Sequence, residues 1–314
     1  MRGALKLLAL LLPALLLTAA DAEKELNGFK LEGALVPREL IVSKVPTRDG
    51  IHSVDEPEFA PVEGATWVEP KTPVLGVELG GEARAYPVHL LEYHQIVNDV
   101  LGGVPVAVTF GPLSAVPLAF HRKVDGRALS FGVSGLLYNA NFLMYDRETE
   151  SLWSQFEGRA IAGPLAGKSL RRIRVRQETT ATWLSRFPGS KILRRPYRMQ
   201  IDYRYSPFER YMIADRIPFP VKAQDRRFHA KELVVGVVAN GKARAYLGSL
   251  VTKAGGSVED VFQGKRIRIR YDLEAAVFSW EAPDDVELTE AYWLAWKAFH
   301  PETEIWGEAK PQEG

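Results

Sequence analysis

From residue 74 onward the chain alternates between apolar runs of strand length and small-residue turns. Residues 74–80 alternate as a strand, Gly80-Gly81 turns, and residues 82–86 return, which predicts a β-hairpin. Pro87 suits the first turn of a helix, and Leu90, Leu91, His94 and Val97 share a face at helical spacing. A helix is therefore expected through about Val100, stopped by Gly102-Gly103. Residues 105–110 then read as a buried strand. Asp125-Gly126 sits between two further apolar runs, a strong hairpin signal. Another hairpin is expected around the polar turn at residues 146–150. A strand near 170–175 leads into a short helix at 180–187, closed by Pro188-Gly189.

The pattern then recurs. Residues 75–86, LGVELGGEARAY, return at 235–246 as VGVVANGKARAY, an offset of 160. With one insertion, Val97, Asp99, Val100 and Gly103 fall on Val258, Asp260, Val261 and Gly264. Trp183, Pro188 and Ile192 correspond to Trp296, Pro301 and Ile305, now at an offset of only 113. The fall from 161 to 113 means that the first half carries about 48 residues between Phe120 and Arg176 that the second half lacks. The expected fold is α+β: two related, mostly antiparallel β units, each with a helix after its first hairpin, packed as one body. The expected organisation is a signal peptide at 1–22, a wrapping segment at 23–73, a first repeat at 74–193, an ordered connector at 194–230 and a shortened second repeat at 231–314. The connector is rich in Tyr, Phe and Pro, and its aromatic rings would be costly to leave in water.

Composition narrows the function. Arg2 and Lys6 precede an apolar run at residues 7–17, and Ala20-Asp21-Ala22 offers a small-residue cleavage site, the pattern of a secretory signal. The expectation is an extracytoplasmic protein, periplasmic or secreted, with no stable membrane insertion after cleavage. Without Arg2, Lys6 and Asp21, the 40 basic and 39 acidic residues reduce to a formal net charge of zero. Such a chain has no overall field for nucleic acid or anionic lipid. The basic runs at 171–176 (RRIRVR) and 265–270 (KRIRIR) alternate with apolar residues and read as strands with a charged outer face. The chain has no cysteine, which excludes disulfides, thiolate catalysis and thiolate metal ligation.

The extra segment of the first half is unusually polar for its apolar setting. Tyr138, Asn139, Asn141, Asp146, Trp153, Ser154 and Gln155 crowd into one region of hairpin-like sequence. Amides and hydroxyls destabilise a core unless each finds a partner, so the cluster reads as a satisfied internal network or as a pocket wall. Residues 94–99 (HQIVND), 102–109 (GGVPVAVT), 131–139 (FGVSGLLYN), 143–147 (LMYDR), 149–155 (TESLWSQ) and 163–167 (GPLAG) resemble the bacterial and archaeal domain-of-unknown-function family 3179. The resemblance covers about residues 47–193 well and the second copy loosely. It implies a Cys-Pro-Leu-Cys motif where this chain has Gly111-Pro112-Leu113-Ser114. In typical members two thiols beside a histidine would suggest a redox pair or soft-metal site; here neither chemistry is available.

His94, beside Asn98 and Asp99, is the candidate acid, base or nitrogen ligand, weighed against a buried histidine with a structural role. His89 lies too far round the helix to share a metal with it, and HLLEYH is not the zinc-protease pattern. Around Ser134 the sequence lacks the last glycine of a nucleophile elbow. The expected ligand-binding residues are Asn98, Gly111, Ser114, Tyr138, Asn139, Asn141, Trp153 and Gln155, with no metal and no cofactor. The leading expectation is a protein that binds a small ligand in a polar pocket or acts as a scaffold. The competing one is a hydrolase or metal-assisted oxidoreductase using His94.

Overall fold

Tight turns with two consecutive positive φ angles set the architecture. Gly80-Gly81, Gly102-Gly103, Asn240-Gly241 and Gln263-Gly264 each close a hairpin. The flanking residues pair directly: Leu79 with Glu82, Leu101 with Val104, Ala239 with Lys242, and Phe262 with Lys265. This turn geometry matches the right-handed twist of the strands it joins. The computed structural model describes residues 25–196 and 201–308. The expected signal segment, residues 1–22, lies outside them. Among the described residues, no helix is long and apolar enough to cross a membrane.

Besides two short hairpins, Glu25–Leu26 with Phe29–Lys30 and Lys123–Val124 with Arg127–Ala128, the described strands form five small sheets in a propeller-like ring. In the first, Pro73–Leu79 pairs with Glu82–Pro87; Arg176–Thr179 flanks one side, and Lys191–Leu193 with Phe59–Ala60 the other. The second is a meander of Ile96–Leu101, Val104–Gly111 and Val116–His121, extended by Arg172–Ile173. The third runs through Phe131–Tyr138, Asn141–Asp146, Leu152–Ser154 and Arg159–Ala162, with Ile41–Ser43 at its edge. In the fourth, Leu233–Ala239 and Lys242–Leu247 lie between Glu287–Tyr292 and Glu304–Ile305. The fifth is the meander Ser257–Phe262, Lys265–Asp272 and Val277–Glu281.

The α+β expectation is therefore corrected to a mostly β fold, with 42% of the described residues in strands and 14% in helices. The helix expected through about Val100 is Val88–His94, two turns only. Gln95 has φ 59°, which helical backbone does not allow, and Ile96 is already paired with Thr109. The helical spacing from Leu90 to Val97 was misleading. β-Branched Ile96, Val97 and Val100 favour the pleated conformation, and a partner strand was at hand. The helices are short corner pieces, and the sheets form the body.

A tryptophan laid over a glycine anchors the first and fourth sheets. The Trp183 ring covers Gly76, where an added Cβ would lie 2.2 Å from Trp183 Cε3. The Trp296 ring covers Gly236, with a corresponding distance of 2.1 Å. Each indole N–H donates to a hydroxyl seven residues on, Trp183 to Ser190 Oγ at 2.8 Å and Trp296 to Thr303 Oγ1 at 3.0 Å. A ring of this size buries about 200 Å² of largely apolar surface, a gain of roughly 5 kcal/mol. Beside each anchor an arginine and a tyrosine share one aspartate. Arg84 and Tyr86 bind Asp99, and Arg244 and Tyr246 bind Asp260. The third sheet lies in sequence between Val116–His121 and Arg172–Ile173. In the second half Val277–Glu281 is followed directly by Glu287–Tyr292.

Gly236→Ala should lower the unfolding free energy in urea by about 2 kcal/mol or more, because the new methyl must displace a fully buried indole. Gly241→Ala, in an open turn, should cost less. Equal, small effects at both positions would contradict the packing described for Trp296.

Candidate functional site

The turn after Val104–Gly111 places Gly111 and Ser114 side by side. Ser114 N–H donates to Gly111 O at 3.1 Å, and Ser114 Oγ–H donates to the same oxygen at 3.1 Å. A Cβ added at Gly111 would sit 2.7 Å from Ser114 Oγ and 2.9 Å from Asn141 Nδ2. The tight Asn139-Ala140 turn, with both φ angles positive, pairs Tyr138 with Asn141 and so starts the strand Asn141–Asp146 opposite this spot.

Asn141 is then fully occupied. Its Nδ2 donates to Ser114 Oγ at 2.9 Å and to Gln155 Oε1 at 2.7 Å, while Oδ1 accepts Phe156 N–H at 3.1 Å. Gln155 Nε2 donates to Thr109 Oγ1 at 2.9 Å and Val116 O at 3.2 Å. Thr109 Oγ1–H passes on to Leu118 O at 2.8 Å. Thr109, Ser114, Asn141 and Gln155 are each at most 1% exposed. The turn is covered from outside as well. Tyr211 of the connector donates to Leu113 O at 2.9 Å, and Tyr292 N–H of the fourth sheet donates to Ser114 O at 2.7 Å. Leaving any one of these buried groups unpaired would cost about 1–3 kcal/mol.

The other predicted residues stand elsewhere. Trp153 is buried edge-on to Phe131 and donates its indole N–H to Asp146 Oδ2 at 2.8 Å. Tyr138 packs edge-on against Phe299, and Asn139 Oδ1 accepts the Lys222 N–H at 2.9 Å, pinning the connector. Asn98 clamps the second sheet to the third: it donates to Phe131 O at 2.8 Å and Asp55 Oδ1 at 2.7 Å, and accepts Phe131 N–H at 3.0 Å. Thus Gly111, Ser114, Asn141 and Gln155 come together, and His94 is not bonded to any of them.

His94 is buried with both ring nitrogens engaged. Since His52 O can only accept, Nδ1 carries the proton and donates at 2.8 Å; Nε2 then accepts Tyr203 O–H at 2.7 Å. Burial holds the His94 pKa below its ordinary value and pushes the Tyr203 phenol up to about 12, so the pair rests neutral. Sequence reasoning missed Thr109, His52 and Tyr203. The aromatic connector was the available signal for Tyr203, whereas a lone backbone carbonyl such as His52 O leaves none. Among the described residues no three His, Asp or Glu side chains are grouped as a metal ion would require. Three clefts of about 600, 370 and 420 Å³ open on the surface, and the predicted residues line none of them.

A second buried polar feature escaped sequence analysis. Glu290, on the strand Glu287–Tyr292, is 2% exposed and neither carboxyl oxygen makes a well-formed hydrogen bond. Burial pushes its pKa well above the ordinary glutamate value, and nearby Glu178 adds to the shift. An acid with a raised folded pKa binds its proton more tightly in the folded chain. Its stability contribution is therefore intact below the unfolded pKa of about 4.3 and is lost progressively as pH rises toward the folded value. Between about pH 5 and pH 8, wild type should lose stability relative to Glu290→Gln in urea unfolding. A difference that does not change with pH would contradict a protonated Glu290.

The comparisons with known proteins agree with the region that carries these networks. One family model, described as "Protein of unknown function (DUF3179)", matches residues 48–282. Searches of the curated proteins and of the solved structures give no significant match. With most of its length matched, the chain belongs to the DUF3179 family, and it contains no cysteine.

Proposed function

We propose that this protein is an exported scaffold of its family, in which an internal amide–hydroxyl lock occupies the place where the sequence resemblance implies a pair of thiols. The carrying observation is that Asn141 uses all of its side-chain hydrogen-bonding groups on Ser114, Gln155 and Phe156. A ligand entering there would have to break these bonds and displace Tyr211 and Tyr292 from the turn. That favours the scaffold over the small-ligand pocket at this spot. The enzyme reading through His94 gains least support, because both nitrogens of its ring are committed to His52 and Tyr203.

Export is part of the same reading and rests on residues 1–22; a small molecule as partner is not needed for it. The two halves are read as a duplication, supported by the paired Trp-over-Gly anchors and the paired Arg–Asp–Tyr groups. The third sheet is then the addition to the first copy, and it brings Asn141 and Gln155 with it.

The proposal predicts that thiols can be restored to this place. In a disulfide each sulfur lies ~3 Å from its partner's Cβ, close to the 2.7 Å between a Cβ at residue 111 and Ser114 Oγ. The double variant G111C/S114C should therefore form an intramolecular disulfide on mild oxidation and lose both titratable thiols. Two thiols still free in the oxidised, denatured variant would overturn the assignment of this turn.

A further inference from the structure

The 370 Å³ cleft lies on the first sheet and shares no lining residue with the amide lock. Its floor is Gly76 under the Trp183 ring, and three arginines surround it: Arg176, which opens the strand beside Gly76, Arg174 from the segment leading into that strand, and Arg186 from the end of the helix Thr180–Arg186. Their partners are unequal. Arg174 pairs at 3.0 Å with Asp284, an almost fully exposed side chain, and Arg186 pairs at 3.1 Å with the buried Glu178. Glu78 on the rim accepts the Gly81 N–H at 3.3 Å. Arg176 is half-buried, and among the described residues it has no hydrogen-bond or ion-pair partner.

A half-buried guanidinium between two others is unfavourable as it stands. Partial desolvation, then Arg186 and Arg174, hold the Arg176 pKa below its ordinary value, against the pull of Glu178. The framework does not require this arrangement. Arg176 pairs in register with Gly76, and the residue pairing with Gly236 in the fourth sheet is Thr289. Two residues earlier, Glu287 stands where Arg174 would be, and three residues after Trp296 stands Phe299 where Arg186 follows Trp183. The second half builds the same Trp-over-Gly anchor with none of these arginines, so the unpartnered Arg176 is not needed for that anchor.

We infer that this cleft is a binding site for a small oxyanion, a carboxylate or a phosphoryl group, held mainly by the free guanidinium of Arg176 and oriented by Arg174 and Arg186. Guanidinium donors are planar and paired, which suits both groups. The Trp183 and Phe187 side chains give the cleft an apolar wall against which the body of an organic anion would rest.

The test is calorimetric titration of the full mature chain with inorganic phosphate and, separately, with succinate, at constant ionic strength set by potassium chloride. Saturable one-to-one binding of either probe is expected, and the stronger probe identifies the ligand as phosphoryl or carboxylate. Arg176→Gln should weaken that binding about tenfold or more, while Arg127→Gln, an exposed arginine outside the cleft, should leave it unchanged. Because Arg176 holds no partner, its variant should melt no earlier than wild type, so lost binding would not reflect lost folding. Failure of both probes to bind, or equal binding by Arg176→Gln, would overturn the inference. The scaffold reading does not depend on either outcome.

Discussion

A buried amide must spend every hydrogen-bonding group it has, and Asn141 does so across two sheets. Its bond to Ser114 joins the third sheet to the turn between two strands of the second, and its bond to Gln155 extends the link to Thr109 and Val116. The connector and the fourth sheet then close over the same turn through Tyr211 and Tyr292. Much of the ring is thereby tied to one small polar core. Any substitution that leaves one member unpaired affects several elements at once.

Around that core the ring is held by contacts of a different kind. Trp183 and Trp296 occupy the space left by the missing side chains of Gly76 and Gly236, and each fixes a short helix against its sheet. Phe156, adjacent to Gln155, stacks on Phe299 at 4.0 Å with an interplanar angle of 4°. The third sheet and the last helix therefore share one apolar cluster. The polar lock supplies position, and the apolar clusters, aliphatic and aromatic together, supply the burial.

The sequence made part of this legible. Gly80-Gly81 announced its hairpin, because few residues accept those backbone angles; Asp125-Gly126 closes only a short one, Lys123–Val124 with Arg127–Ala128, while the apolar runs on either side enter different sheets. The segment between Phe120 and Arg176 that the change in offset singles out holds four of the five strands of the third sheet. The fold class was misread because seven residues of true helix continued, without a break in apolar spacing, into the strand Ile96–Leu101. The amides of Asn141 and Gln155 were found, but sequence could not separate a pocket wall from a closed network. That distinction depends on Ser114 and Thr109 lying across from them, a matter of long-range register. His94 and Asn98 looked like neighbours of the amides, yet they bind His52, Tyr203, Asp55 and Phe131. The arginine cleft was hidden in the alternating basic run at residues 171–176, which the structure splits between two sheets, since nothing local distinguishes a paired arginine from a free one.

The closed site depends most on the lock being a coupled structural unit. A double-mutant cycle of Asn141→Ala and Gln155→Ala, followed by urea unfolding, measures that directly. The predicted coupling between the two positions is about 1 kcal/mol or more, with each single variant destabilised. Additivity within about 0.3 kcal/mol would contradict it, because two amides that do not depend on each other cannot be holding the site closed.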